Sequence, residues 1–142
     1  MIVKDLYIDN FDWHVRIFYA VTCYWTDRII QELRDIDCPE KDIRKARANM
    51  SNCNPNNGIT YSNYRLRKTV MVIGMWTDPG EFENSFNHEK EHFTGHLINA
   101  LDLEVGGEEI SYFSGNFSQY LFPINRMFLC DCKCHNEDIQ RE

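Results

Sequence analysis

The chain holds 142 residues, enough for one compact domain with a core and too few for two comfortable ones. At 43% hydrophobic and 13% aromatic residues it is a folding sequence, not a disordered one. Its net charge of −7 argues against a nucleic-acid partner, and no apolar run approaches the roughly 18 residues that would make it a membrane partner.

The N-terminal MIVKDLYIDNFDWH lacks the basic start, apolar stretch and small-residue cleavage site of a signal peptide. A cytoplasmic location is therefore expected, with the six cysteines reduced. No element is assigned before residue 15. Residues 15–24, VRIFYAVTCY, are rich in β-branched and aromatic types and predict a strand. Thr26-Asp27 caps an amphipathic helix with Ile29, Ile30, Leu33 and Ile36 as its apolar stripe. Pro39-Glu40 starts another through Ile43, Ala46 and Met50, with Lys41, Arg44, Lys45 and Arg47 outside.

The stretch NCNPNNG ending at Gly58 is dense in turn formers and predicts a loop. Strands are expected at 59–64 and 69–73, with a hairpin between them. Asp78-Pro79-Gly80 closes the sheet element and opens a long helix to about Leu101. Gly106-Gly107 breaks it, a helix runs from Glu108 to about Leu121, and Pro123 starts a last short element. The order β-α-α-β-β-α-α-α, without repeats or linkers, predicts one α+β domain over 1–142, with a small mixed or antiparallel sheet and packed helices.

His88-Glu-Lys-Glu-His92 carries the most specific chemistry. On a helix, His-Glu-x-x-His places two imidazoles one turn apart on one face, the spacing at which both can bind one zinc ion. Glu89 then stands beside the metal's water as general base. The bland alternative is a solvated row of helix histidines. His96 continues the row but lies about 12 Å along the axis from His88, too far to share the ion, so it is read as a group lining the cleft.

Zinc needs a third protein ligand. Glu108-Glu109 opens the next helix, which a short connection should pack against the first; Glu109, Tyr112 and Asn116 share one of its flanks. Acidic residues at a helix start also serve simply to complement the helix dipole.

His-Glu-x-x-His followed by a Glu on a later helix resembles the gluzincin branch of the zincin metallopeptidases, and more narrowly the compact zincin-like domains of phage and mobile-element proteins. The likeness covers about residues 69–122, and only the five-residue motif is specific. In that family the third ligand commonly precedes a small or apolar residue, which selects Glu109, before Ile110, over Glu108. The metzincin pattern fails, because its third histidine would fall at Ile98.

The resemblance implies a zinc peptidase acting on a peptide or protein substrate. His88, His92 and Glu109 would be its ligands and Glu89 its general base, with Tyr112 or His96 as an oxyanion donor. It also implies that residues 69–73 form the edge strand that holds an extended substrate. Lys90 and Glu91 depart from the uncharged residues usual within the motif. A zincin-like binding module without catalysis is the alternative, and a plain α+β domain with accidental histidines is the third reading.

The tail from 130 carries Cys130, Cys132, Cys134 and His135, soft-ligand types at a spacing that matches no closed zinc site. Cys130 as core packing and a frayed acidic end is the simpler reading, and Cys53 in the loop is a possible partner for the tail. Composition carries no signal for an oligomeric state.

Overall fold

The computed structural model describes residues 1–53 and 58–129. Period-two alternation builds its sheet. Strand β2 (Trp13–Val21) turns Trp13, Val15, Ile17 and Tyr19 to one face and Phe18 and Val21 to the other, all buried. The change of face coincides with a register shift against the next strand and a left-handed φ of 58° at Ala20.

Strand β4 (Lys68–Gly74) divides its side chains the same way, Met71 and Ile73 against Val70 and Val72. Strands apolar on both faces belong in the middle of a sheet. β2 and β4 accordingly run parallel at its centre, with β1 (Ile2–Ile8) antiparallel outside β2 and β3 (Ile59–Asn63) antiparallel outside β4.

One face is covered by α1 (Thr26–Asp35) and α2 (Glu40–Ser51), which bury Ile29, Ile30, Leu33, Ile43, Ala46 and Met50 against Phe18, Val70 and Val72. The other is covered by α3 (Pro79–Leu101) and α4 (Glu108–Asn125). Their Phe82, Phe86, Phe93, Leu97, Ile110, Phe117 and Leu121 meet Trp13, Ile17, Met71 and Ile73, each such side chain contributing about 1.5–3 kcal/mol when buried. The result is a small α+β fold, a mixed sheet between two helical layers. No described helix is long and apolar enough to cross a membrane.

Four local expectations are corrected. Residues 2–8 form a strand where none is expected: Ile2, Leu6 and Ile8 face inward, but Lys4 occupies the same row and lays its ammonium over the Tyr120 ring at 5.3 Å. That lysine interrupts the apolar alternation that would mark the strand. Residues 23–25 leave the sheet as a 3-10 turn. α4 passes through Pro123, which forfeits a single hydrogen bond in the last turn, and residues 126–128 add only one 3-10 turn. Residues 69–73 are central, and the edge beside the long helix is β3, because β4 is apolar on both faces.

Candidate functional site

The helix bearing the motif is firmly begun and ended. Asp78 accepts from the Glu81 N–H at 2.9 Å, the Glu81 carboxylate accepts from the Thr77 N–H at 2.7 Å, and Pro79 stands in the first turn. Asp102, left-handed at φ 54°, closes the other end through its N–H to the Ile98 carbonyl. Between these caps α3 presents three flanks. Phe82, Phe86, Phe93 and Leu97 enter the core. Lys90 leans toward α4, where its Nζ donates to Ser118 Oγ at 2.9 Å. Glu89 and His96 turn the opposite way, toward β3.

Lys90 thus has a structural explanation: it is half-buried and its charge ends on the Ser118 hydroxyl of α4. Glu91 is exposed.

Glu89 is the unusual group. It is 4% exposed, and its Oε2 accepts from Thr60 Oγ1 on β3. Gly58 lies so close that a Cβ there would stand 2.5 Å from Glu89 Oε1 and 3.0 Å from the Val72 carbonyl oxygen. A side chain at that point would have to displace the carboxylate or the chain beside it. Burial raises the pKa of Glu89 above its ordinary value; the Thr60 hydrogen bond and the fields of His88 and His92 act in the opposite sense but do not cancel it.

His88 and His92 are exposed, with their Nε2 atoms 3.2 Å apart and their rings 4.7 Å between centroids at 81°. Two nitrogens bound to one tetrahedral zinc at about 2.0–2.1 Å stand roughly 3.3–3.4 Å apart. The pair's separation is near that of two ligands of one ion, and it is also that of a hydrogen bond from one ring's Nε2–H to the other ring's Nε2. The third ligand is not brought to it. Among the described residues, no three His, Cys, Asp or Glu side chains are grouped to hold a metal.

The reason lies in how the helices pack. α4 lies along the Phe86–Lys90–Phe93 flank, where Phe117 stacks on Phe86 and Phe113 meets Phe93, whereas Glu89 of the motif faces β3. Antiparallel register also carries Glu109 past Phe93, toward the far end of α3. Glu109 and Tyr112 instead line a separate groove of about 500 Å³ with Tyr7 and Phe11, and Tyr112 is 68% exposed. Glu108 is exposed at the start of α4.

His96 lies on the flank of α3 that faces β3. It lines a groove of about 440 Å³ along the edge strand, together with Gly58 to Ser62 and Tyr64, and facing Asp42 and Lys45 of α2. Its Nδ1 is 2.7 Å from Ser62 Oγ, and burial, then the neighbouring His92, lower its pKa. Sequence reasoning missed Gly58, Thr60 and Ser62. Their spacing of two along a predicted strand, beginning with a glycine, puts all three on one face and was the available signal.

The cysteines differ from expectation as well. Cys23 and Cys53 form a disulfide with Cα atoms 4.9 Å apart, joining the turn after β2 to the end of α2. They are 30 residues apart in sequence, and only the packing of α1 and α2 on one face brings them together. Cys38 is free and buried, with its thiol pushed up to about 11 by burial and the nearby Asp42 and Glu40. The expected roles of Cys130, Cys132, Cys134 and His135 lie outside the described residues. Comparison of the chain with protein-family models, curated proteins and solved structures finds no match.

Proposed function

We propose that the His88–Glu89–His92 stretch is a zinc-dependent hydrolytic site acting on the amide bonds of a peptide or protein. The observation that carries this reading is the 3.2 Å separation of the two Nε2 atoms, one helical turn apart, with a buried carboxylate between them in sequence. When bound, zinc supplies a Lewis acid that polarises a carbonyl and makes a coordinated water acidic. His88 and His92 would hold it.

Glu89 accepts the proton of the attacking water and returns it to the leaving amine. Its environment suits both halves of that task. Burial raises its proton affinity, Thr60 holds Oε2, and Gly58 lets the chain pass close to Oε1. Among the described residues no strand pairs with the outer edge of β3, which offers backbone donors and acceptors to an extended substrate lying in the groove.

The lack of a third donor beside the pair, among the described residues, favours a second reading, a metal-binding module without hydrolysis. Zinc titration of metal-free protein is the first test. One equivalent should bind the wild type and be lost in His88→Ala or His92→Ala; no binding at neutral pH refutes both readings. Cleavage of a random peptide mixture that disappears in Glu89→Gln, with zinc retained, selects the hydrolase. Zinc binding with no cleavage in the wild type selects the module, and cleavage unaltered by Glu89→Gln removes Glu89 as the general base.

A further inference from the structure

A row of polar groups crosses three strands and ends at the groove. Trp13 Nε1, on β2, donates to Thr69 Oγ1, on β4, at 2.8 Å. Thr69 Oγ1 lies 2.7 Å from Ser62 Oγ, its cross-strand partner on β3, and Ser62 Oγ lies 2.7 Å from His96 Nδ1 on α3. Trp13 and Thr69 are buried, at 0% and 2% exposure.

Counting protons orders this row. An indole N–H can only donate, so Thr69 Oγ1 accepts from Trp13. The Thr69 hydroxyl has a single proton, and among the described residues its only other polar partner is Ser62. If Thr69 gives that proton to Ser62, then Ser62 gives its own to His96 Nδ1, and every group is satisfied. If His96 donated from Nδ1 instead, Ser62 would either give its proton to Thr69, leaving the Thr69 proton buried with no acceptor, or accept from both neighbours and turn its own proton out of the row toward the groove. An unpaired buried donor disfavours the first of these by roughly fivefold or more, and the second leaves the Ser62 proton without a partner among the described residues.

We propose that Trp13, Thr69 and Ser62 form a proton-ordered chain that fixes His96 as its neutral tautomer with the proton on Nε2. His96 is thereby a preset hydrogen-bond donor to an amide carbonyl oxygen seated in the β3 groove. Nδ1 is occupied as an acceptor, so the ring's remaining polar atom is Nε2, and the side chain lines the groove beside β3, the outermost described strand. Trp13, Thr69 and Ser62 are positioning residues. A donor held in one tautomer binds an oxygen without first reorganising. The proposal needs no metal at His88 and His92.

Long-range nitrogen–proton NMR of histidine-labelled, metal-free protein at neutral pH reads the tautomer directly. The wild type should show His96 with Nε2 protonated and Nδ1 bare; a proton on Nδ1, or an even mixture, overturns the proposal. Thr69→Val, near in volume, should admit both tautomers, and an unchanged spectrum would deny the chain its role. Ser62→Ala, at a half-buried edge position, should do the same if Thr69→Val fails to fold. Titration with N-methylacetamide, a peptide-bond mimic, should shift the His96 Nε2 proton and the amides of residues 59–63. A shift confined to other sites removes the donor function. Zinc binding at His88 and His92 is measured separately, so either reading can fail alone.

Discussion

Gly58→Ala is the most direct probe of how the carboxylate is held. The new Cβ would lie 2.5 Å from Glu89 Oε1, 2.8 Å from its Cδ and 3.0 Å from the Val72 carbonyl oxygen. Contact distances for such atoms start near 3.4 Å, so something must move. Glu89 cannot swing into solvent freely, because it is 4% exposed and bonded to Thr60. Losing a hydrogen bond to a charged group costs about 1.5–3 kcal/mol, and overpacking alone costs about 1–3 kcal/mol. The two overlap, since displacing Glu89 relieves the clash, so the expected loss is about 2–3 kcal/mol.

With roughly 2.1 cal/mol/K of unfolding entropy per residue over 142 residues, that corresponds to a midpoint lowered by about 7–10 °C. Urea and thermal unfolding of metal-free protein would measure it. A double-mutant cycle with Glu89→Ala identifies the cause, because the cost of Gly58→Ala should fall by at least about 1 kcal/mol once the carboxylate is gone. A loss below about 0.5 kcal/mol, or one unchanged in the Glu89→Ala background, would refute the close approach.

The disulfide closes a 30-residue loop, for which chain entropy gives about 3.6 kcal/mol, so Cys23→Ser/Cys53→Ser should unfold at lower denaturant by that order. Equal stability with and without reductant would contradict the bond. The folded-state pKa of Glu89 is raised, so its stability contribution is full below its ordinary 4.5 and is lost as pH rises through the folded value. Glu89→Gln removes that loss, and its melting temperature should gain on the wild type with rising pH above about 4.5; parallel curves would show that burial leaves the carboxyl unperturbed. Cys38, buried and titrating at about 11, should react with a thiol reagent at about pH 8 only on unfolding, and rapid labelling of native protein at Cys38, located by peptide mapping, would place it at the surface.

Much of the local organisation was legible from residue order. Capping at Asp78-Pro79, the phenylalanine stripe of α3 and the glycine pair before α4 are short-range signals, each settled by its own neighbours. The sequence also determined the histidine pair, because a spacing of four on a helix sets the distance between two imidazoles wherever the helix packs. It left β1 hidden, because Lys4 sits in the apolar row and becomes intelligible only beside Tyr120.

Tertiary structure decided what surrounds the motif. Which flank of α3 faces α4 and which faces β3 depends on how α1 to α4 share two faces of one sheet, and no local rule contains that information. Adjacency along the chain points to Glu109, yet the packing of Phe86 and Phe93 on Phe117 and Phe113 turns α4 to the other side. Gly58, Thr60 and Ser62 reach Glu89 and His96 from about thirty residues away because β3 pairs at the outer edge, and Cys23 meets Cys53 for the same long-range reason. Side chains four apart on one helix meet by geometry; side chains thirty apart meet only when the core chooses their neighbours.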